Sequence, residues 1–406
     1  MRILLVTQFF DPEPTIKGLT LAQGLAERGH EVHVLTGFPN YPSGTLAEGY
    51  HLRWRQRDLL GPVVVDRMWL FPSHDRSVAR RAGNYLSYSA SSTVRAMTDT
   101  WRPDVIWAHH PPVTAAAAAL AASKRWSAPL VLEVQDLWPQ SLGSTGMIGS
   151  PRVLSAVGRA MDAVYRRSSA VLVISEGFRR ALVDAGVPTD RVRVLHNWAD
   201  ERRLQPSSED LAWARERQRD GALNVAFTGN MGPAQALDTV LDAARRLQPS
   251  ERQVHIHMVG DGLDEARLRE RASTESLTNV EFHGRQSMSR ASAMVVASDA
   301  ALVHLSYDPL FRITIPSKTQ GYLHLGAPIV MGASGDPAAL VESAGAGFVA
   351  PPEDDEALAA VLCRMAELSR DERRAMGEAG REYYARELSV DAGLDTYESV
   401  FACVLA

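Results

Sequence analysis

Residues 308–328 read Asp-Pro-Leu-Phe-Arg-Ile-Thr-Ile-Pro-Ser-Lys-Thr-Gln-Gly-Tyr-Leu-His-Leu-Gly-Ala-Pro. An apolar run at residues 301–305 precedes this stretch, and a helical pattern follows that ends at Gly326. The sequence therefore predicts a strand, a loop and a helix whose first turn carries Lys318. Backbone N–H groups and the helix dipole attract anions there, and Lys318 and Arg312 add full charges. We interpret the stretch as an anion site; the alternative is an ordinary strand-to-helix turn with a solvated lysine.

Composition places this stretch in a sizeable globular protein. The chain has 406 residues, of which 45% are hydrophobic and 22% charged, with a net charge of −5. That length favours two domains, and the acidic balance argues against general nucleic-acid binding. Cys363 and Cys403 lie in apolar helical patterns without partner spacing, as in a reduced cytoplasmic protein. We expect neither a signal peptide nor a membrane-spanning segment, because the first apolar run is short and reads as a strand.

Short apolar runs alternate with helical patterns along the whole chain. The runs lack strict polar alternation, which is typical of parallel strands that are buried on both faces. Such strands, joined by helices, predict doubly wound α/β sheets. The runs are residues 3–7, 32–36, 63–65, 105–108, 130–134 and 170–174, then 224–228, 254–259, 280–283, 301–305, 328–331 and 347–350.

The strand pattern is interrupted once, at residues 200–221, which are polar and highly charged. We place the connection between two domains here. The predicted domains are residues 1–199 and 200–388, and residues 389–406 form a final helix.

Several common chemistries lack their motifs in this chain. No glycine-rich dinucleotide turn follows the first strand, and there is no Walker loop, His-Glu-x-x-His helix or nucleophile elbow. Instead, glycine turns follow three strands of the second domain. Each alone is ordinary, but together with Pro316-Ser317-Lys318 they predict a pocket for phosphate and base. The turns are Gly229-Asn230-Met231-Gly232, Gly260-Asp261-Gly262 and His283-Gly284-Arg285.

The chain resembles the family 4 retaining glycosyltransferases over nearly its whole length. Besides residues 308–328, the similarity is carried by residues 9–14, 29–42, 108–112 and 133–139. It is strongest to a WbuB-like branch that makes bacterial polysaccharides and related glycans. The resemblance implies a GT-B fold, in which two Rossmann-like domains face a central cleft and the last helix crosses back to the first domain.

The resemblance also implies roles for particular residues. The backbone of Lys17 and Gly18 would approach the donor diphosphate, and His110, with His109, would face the donor sugar. Asp136 would orient sugar or acceptor hydroxyls, and Lys318 would act on the leaving diphosphate, so that His110, Asp136 and Lys318 are the candidate catalytic residues. Donor-binding residues in the second domain would be Gly229, Asn230, Gly232, Gly284, Arg285, Arg312, Pro316, Ser317 and Gln320.

Four positions depart from the wider family. Asn230 and Gln235 stand where many members have a phosphate-binding arginine and lysine, and Ile313 and Gly321 stand where many have a glutamate pair. Gln320 is then a candidate for the ribose contact. Lys318, Arg312 and Arg285 would have to neutralise the diphosphate, through charge-assisted hydrogen bonds of about 1.5–3 kcal/mol each.

The function implied is a retaining, metal-independent transfer without a cofactor. The donor would be a nucleoside-diphosphate sugar, with an N-acetylhexosamine-type sugar on uridine diphosphate favoured. The acceptor would be a glycan, a lipid-linked molecule or a small molecule. A basic, aromatic segment at residues 76–101 predicts at most weak, salt-sensitive contact with the inner membrane face. Two alternatives stay open: a non-hydrolysing UDP-sugar 2-epimerase and a non-catalytic sugar-nucleotide-binding protein.

Overall fold

The computed structural model describes residues 1–74, 77–139, 150–248 and 253–406. They form two compact units, which we call the first and second unit. The first comprises Met1–Leu195 and Gly393–Ala406, and the second comprises His196–Ala392. The division after Leu195 thus falls four residues before the boundary predicted at residue 199.

The first unit contains one eight-stranded sheet. Its strands lie in the order β3-β4-β2-β1-β5-β6-β7-β8, and every neighbouring pair is parallel except β3 with β4. The strands are β1 (Arg2–Val6), β2 (Glu31–Gly37), β3 (Arg55–Leu60), β4 (Val63–Met68), β5 (Val105–His110), β6 (Leu130–Val134), β7 (Ala170–Val173) and β8 (Val192–Val194). The helices before the second unit are α1 (Leu19–Glu27), α2 (Val78–Thr98), α3 (Ala115–Trp126), α4 (Pro151–Arg167) and α5 (Glu176–Asp184).

Two of these strands, β3 and β8, were not predicted. β3 reads Arg-Gln-Arg-Asp-Leu-Leu and alternates between exposed and half-buried residues at the sheet edge, so it lacks the apolar run used to find the others. A two-residue turn joins it to β4, with Leu60 paired to Val63 and Gly61 at a φ of +63°. β8 has only three residues, too few for a recognisable pattern.

The second unit contains a six-stranded, fully parallel sheet in the order β11-β10-β9-β12-β13-β14. Its strands are β9 (Leu223–Thr228), β10 (Val254–Val259), β11 (Val280–Gly284), β12 (Ala300–His304), β13 (Ile329–Gly332) and β14 (Gly347–Ala350). Its helices are α6 (Ser208–Arg215), α7 (Leu237–Leu247), α8 (Glu265–Thr274), α9 (Met288–Ala297), α10 (Ser317–Leu325), α11 (Asp336–Ser343), α12 (Asp355–Glu367) and α13 (Arg370–Glu387). The last helix, α14 (Val390–Leu405), joins the first unit from Gly393 onward. Two open, mostly parallel sheets confirm the predicted fold class.

The segment at residues 200–221 is part of the second unit rather than a linker. It contains α6, in which Ala214 is fully buried, and its Asp210 carboxylate accepts hydrogen bonds from Ser289 at 2.5 Å and Arg290 at 3.0 Å. Charged residues there serve the packing of α6 on α9, and this is why a segment with the composition of a linker is folded into the second unit.

Each sheet has one point at which the strand order reverses. In the first unit it lies between β1 and β5, and in the second between β9 and β12. In open α/β sheets, ligands bind at the carboxyl ends of the strands beside such a point, because the adjoining loops diverge there. Lys17 and Gly18 lie in the loop after β1, and Gly229 follows β9. His110 is the last residue of β5, and Lys318 lies in the first turn of α10, the helix that follows β12.

Candidate functional site

Three glycine turns meet at the carboxyl edge of the second sheet. The Gly229 N–H donates to the Val259 carbonyl at 2.8 Å, and the Gly260 N–H donates to the Gly284 carbonyl at 2.9 Å. Gly260 has a φ of +143°, and a Cβ added there would lie 1.9 Å from the Gly229 oxygen. Only glycine fits this approach. The turns therefore form a connected rim of backbone, which we call the glycine rim. Close packing of the backbone is enough to explain why glycine is present in it.

Asn230 and Gln235, which the sequence comparison predicted to replace a cationic pair, form a neutral pair. The Asn230 amide donates to Gln235 Oε1 at 3.2 Å, and the Gly232 N–H donates to the same oxygen at 3.1 Å. The loop after β9 is thus closed by amide hydrogen bonds. It contributes no side-chain charge toward a diphosphate.

Lys318 lies in the first turn of α10, and its ammonium group is buried. No described residue accepts a hydrogen bond from Nζ, which lies 3.8 Å from the centre of the Phe227 ring on β9. Burial lowers the pKa of Lys318 to about 7. An aromatic face attracts a cation but accepts no conventional hydrogen bond from it, so three strong donors remain unused. A buried charge without an anion is costly, and such positions are characteristic of functional sites.

Neighbouring contacts fix the start of α10 against the end of β9. The Thr228 N–H donates to the Tyr322 hydroxyl oxygen at 2.9 Å, and the two side-chain hydroxyl groups lie 3.0 Å apart. Thr319, beside Lys318, is also fully buried, and its hydroxyl has no hydrogen-bond partner among the described residues. Lys318 and Thr319 therefore present unsatisfied polar groups from one helix turn at the sheet's reversal point.

The predicted arginines differ from Lys318 because both are exposed. The Arg285 guanidinium lies 3.4 Å from the Asp261 carboxylate and is 82% exposed. Arg312 is also exposed, while its carbonyl accepts the Asp336 N–H at 2.8 Å. Both arginine side chains are therefore open to solvent, unlike the Lys318 ammonium.

Gln320 is 2% exposed and engaged within its own helix. In the orientation that suits its surroundings, its amide nitrogen donates to the carbonyls of Pro316 at 2.7 Å and Ser317 at 3.1 Å. The side chain thus stabilises the first turn of α10. This arrangement does not support the predicted contact between Gln320 and a ribose. Pro316 precedes the helix as its N-cap, and Ser317 is exposed at its first position.

In the first unit, His110 ends β5 and is almost completely buried. Neither ring nitrogen makes a hydrogen bond of acceptable geometry to a described residue, although the Asp136 backbone lies near. Burial is the main reason that the pKa of His110 falls to about 3, so the ring is neutral at physiological pH. Trp138 packs edge-on against it at 5.2 Å and donates from Nε1 to the Asp136 carboxylate at 3.2 Å. A neutral His110 can donate one hydrogen bond and accept another.

His109 and Lys17 lie beside a buried carboxylate. Glu133 is paired in register with His109, and its carboxylate accepts hydrogen bonds from Trp107 at 3.0 Å, from Gln135 at 2.5 Å and from Tyr397 of α14. Burial lowers the pKa of Lys17 to about 8, and the Glu133 charge opposes this shift. The Lys17 ammonium therefore belongs to a structural network within the first unit.

Gly18 forms the N-cap of α1 close to the Asp11 carboxylate. That carboxylate accepts the Leu19 N–H at 2.6 Å, and a Cβ on Gly18 would lie 2.2 Å from it. A side chain at this position would have to displace the Asp11 carboxylate or the Thr15 hydroxyl. The predicted role of the Lys17 and Gly18 backbone in diphosphate binding stays a prediction.

The basic, aromatic segment is largely the helix α2, and much of it packs inward. Tyr88 is fully buried and donates to the carbonyls of Thr7 and Leu35, and Arg95 is paired with Asp66 and Asp99. Arg76 lies outside the described residues. An exposed apolar stripe remains at Leu86, Val94 and Met97.

Sequence reasoning missed several partners of the predicted residues. Phe227 and Thr319 surround Lys318, while Trp107, Glu133 and Tyr397 surround Lys17. Phe227 could have been found, because it is the penultimate residue of a predicted strand beside the reversal point. Tyr397 could not, since nothing in the sequence relates it to residue 133.

Comparison with known proteins identifies two domain families in this chain. Residues 19–198 match the glycosyl transferase 4-like domain, and residues 213–383 match the glycosyl transferases group 1 domain. The two matches fall on the first and second unit respectively and together span most of the chain.

Individual proteins agree with this assignment. The chain is 28% identical over 343 residues to WcaI of Escherichia coli (strain K12), named as a colanic acid biosynthesis glycosyl transferase, covering 82% of this chain and 83% of WcaI. It is 25% identical over 242 residues to the glycosyltransferase WbjE of Pseudomonas aeruginosa, covering 59% of this chain and 60% of WbjE. The crystal structure of Anabaena Alr3699/HepE in complex with UDP superposes with a TM-score of 0.71 at 19% identity, covering 99% of this chain and all of HepE. The chain therefore belongs to the family 4 glycosyltransferases and has their GT-B type of two-domain α/β fold.

Proposed function

We propose that this glycosyltransferase transfers an N-acetylhexosamine-type sugar from a uridine diphosphate donor, with retention and without a catalytic metal. The observation that carries the proposal is the buried, unpaired Lys318 ammonium at the reversal point of the second sheet. A donor diphosphate would supply the anion that this ammonium lacks. The glycine rim and the first turn of α10 would add backbone N–H groups.

The chemistry requires stabilisation of a leaving diphosphate. As the bond between the anomeric carbon and the phosphate oxygen breaks, negative charge grows on that oxygen, and a fixed cation lowers the barrier. In the proposed step, the acceptor hydroxyl attacks from the face that the diphosphate leaves, and a donor phosphate oxygen takes its proton. No enzyme nucleophile is used. His110 would bind a sugar hydroxyl as a neutral ring, and Asp136 would orient sugar or acceptor.

Related proteins support the donor class and the biological setting. HepE has been crystallised with UDP and with UDP-glucose, and the name of WcaI places it in colanic acid biosynthesis. By extension, we propose that the present chain uses a donor linked to uridine diphosphate. We also propose that it helps to make a surface polysaccharide or related glycan. The acceptor is then a growing glycan, a lipid-linked sugar or a small molecule.

A thermal-shift screen against uridine, thymidine, guanosine and adenosine diphosphates tests the donor class. A ligand that binds only the native state raises the melting temperature by mass action, so uridine diphosphate should give the largest shift. A larger shift with guanosine diphosphate would refute the proposed base. Release of uridine diphosphate only when an acceptor is present would separate transfer from 2-epimerisation.

Metal independence is tested with a chelator. Turnover should survive excess EDTA, because Lys318 and the backbone N–H groups carry the charge stabilisation. Complete loss of turnover that magnesium or manganese restores would overturn this part of the proposal.

Contact with a membrane should be weak. Among the described residues, no helix is both long enough and apolar enough to cross a bilayer. The stripe at Leu86, Val94 and Met97 could lie on a membrane surface, but Arg95 is already paired with carboxylates. We expect at most slight sedimentation with anionic vesicles at low salt, lost when Arg80 and Arg81 become glutamate. Binding that high salt does not weaken would contradict this.

A further inference from the structure

A cluster of histidines and one glutamate lies across three neighbouring strands of the second unit, away from Lys318. It comprises Asn224 on β9, His255 and His257 on β10, and Glu281 and His283 on β11. His255 is the second residue of β10, five residues before Gly260, which corresponds to about 16 Å along the strand. The cluster therefore lies toward the amino ends of the strands, opposite the edge assigned to the donor.

The positions of these residues on neighbouring strands bring their side chains together. Positions 255 and 257, and 281 and 283, are each two apart, so each pair lies on one face of its strand. The register pairs His257 with Glu281 and His255 with Asn224. One ring nitrogen from each of His255 and His257 and one carboxylate oxygen of Glu281 lie within 4.8 Å of one another.

Hydrogen bonding around Asn224 determines which atoms carry protons. Its amide nitrogen donates to the carbonyls of Arg219 and Ala222, so its oxygen faces His257 Nε2, at 3.1 Å. That nitrogen must carry the proton, because the amide oxygen can only accept. The other ring nitrogen, Nδ1, lies 3.1 Å from His283 Nε2.

Glu281 and His255 complete the cluster. The Glu281 carboxylate lies 3.7 Å from His283 Nδ1 and 3.5 Å from His255 Nε2. His255 Nε2 is buried and has no hydrogen bond of acceptable geometry to a described residue. Imidazole nitrogens and a carboxylate thus converge at one place, with an orphaned buried nitrogen among them. A metal cation can accept electron pairs from such groups at once.

From this geometry we propose that His255, His257 and Glu281 bind a divalent transition metal of the zinc class. Two imidazoles and a carboxylate are a suitable donor set for zinc, and His257 would then donate its remaining N–H to the Asn224 carbonyl, as metal-bound histidines usually do. Zinc bonds of about 2.0–2.2 Å require the ligands to close in. Glu281 can do so, because its side chain is 36% exposed, and His257 would exchange its contact with His283 for the metal.

Removal of Arg219 should have the opposite effect on metal binding to removal of a ligand. Its guanidinium lies 3.5 Å from the Glu281 carboxylate and is 61% exposed. In the metal-free protein it partly neutralises Glu281, and it would repel an arriving cation. Its removal should therefore strengthen metal binding, whereas loss of Glu281 should weaken it.

Cobalt titration of the chelator-stripped full chain tests the site directly. Wild-type protein should bind one Co²⁺ per chain with the visible absorption of nitrogen and oxygen coordination, and Zn²⁺ should displace it. Glu281→Gln and His255→Asn should each weaken metal binding about 10-fold or more, because substitutions around a bound metal typically reduce its affinity by at least this factor. Arg219→Ala should tighten metal binding. The control is Glu275→Gln. Glu275 caps the end of α8 in the same unit and is paired with Arg245 and Arg271, so this variant should bind metal as wild type does.

Three results would overturn the proposal. They are the absence of saturable cobalt absorption in wild-type protein, equal binding by Glu281→Gln and Glu275→Gln, and weaker binding by Arg219→Ala. Circular dichroism confirms that each variant is folded. Because the readout is metal binding and not sugar transfer, its outcome is separate from that of the proposed function.

Discussion

The ammonium groups of Lys17 and Lys318 are both removed from water, but their surroundings differ. Burial lowers the pKa of both, that of Lys17 to about 8 and that of Lys318 to about 7. Lys17 has the Glu133 carboxylate close to it, within a network that also holds Trp107 and Tyr397. Lys318 has only the Phe227 ring and no acceptor among the described residues. The Glu133 carboxylate thus offsets part of the cost of burying Lys17, whereas Lys318 has no such anion and is available for a ligand.

The largest expected effect is on folding and concerns Lys17. Lys17→Met would leave the buried Glu133 without its neighbouring cation, and breaking a buried charge pair typically costs about 3–5 kcal/mol. We expect a clear fall in the melting temperature and in the free energy of unfolding from urea titration. Lys124→Met, at an exposed position of α3, is the matched control. If both variants unfold alike, Lys17 is not part of a stabilising network.

The next largest effect concerns turnover and Lys318. Lys318→Met should slow transfer by about 10²–10³-fold, which corresponds to about 2.7–4 kcal/mol in the barrier, as for loss of a transition-state hydrogen-bond donor. Steady-state kinetics with Lys124→Met as control measure this. Comparable rates for the two variants would remove Lys318 from the leaving-group role.

Donor affinity should depend on pH through Lys318. The diphosphate favours the charged ammonium, which in the free protein is fully formed below pH 6 and lost as pH rises through about 7. Above pH 7, binding requires proton uptake, so affinity should fall by up to about 10-fold per pH unit. Calorimetric titration with a UDP-sugar between pH 6 and 9 tests this. Lys318→Arg stays charged and should show a flat profile; a wild-type profile as flat as that of the arginine variant would contradict the account.

The smallest expected effect is a gain in stability on removing Lys318. Between pH 7 and 10.5 the unfolded state binds this proton and the native state does not, so burial of Lys318 opposes folding at neutral pH and stability rises with pH. Lys318→Met should therefore raise the melting temperature of the ligand-free protein by about 2 °C. Lys17→Met should lower it. Destabilisation by both variants would mean that the two lysines are equivalent.

The sequence predicted the fold well because most strands are buried on both faces. Residues 130–134, 254–259 and 347–350 were predicted with the observed bounds, since apolar residues predominate in each of these strands. β3 was missed because an edge strand exposes half of its residues. The connection at residues 200–221 was misplaced because charge on α6 pairs with α9 and does not mark a linker.

The site was predicted less completely, and the reason is long-range contact. Lys318 was identified from its place after a strand and at the start of a helix, which are local features. That its ammonium is buried over Phe227, 91 residues earlier in the chain, depends on tertiary packing. The histidine cluster was overlooked for the same reason: His255-Ile256-His257 and Glu281-Phe282-His283 gain meaning only when β10 and β11 are known to be neighbours.

The most direct test is the pKa of each lysine, measured by NMR with and without uridine diphosphate. The chain has only three lysines, Lys17, Lys124 and Lys318, so protein labelled with ¹³C at lysine Cε should give three resolvable signals. We predict that the Lys318 signal titrates near pH 7 in the free protein and shifts to a higher pKa on ligand binding, by more than the Lys17 signal does. An unchanged pKa of Lys318 in the saturated complex would contradict the claim that its ammonium neutralises the donor diphosphate.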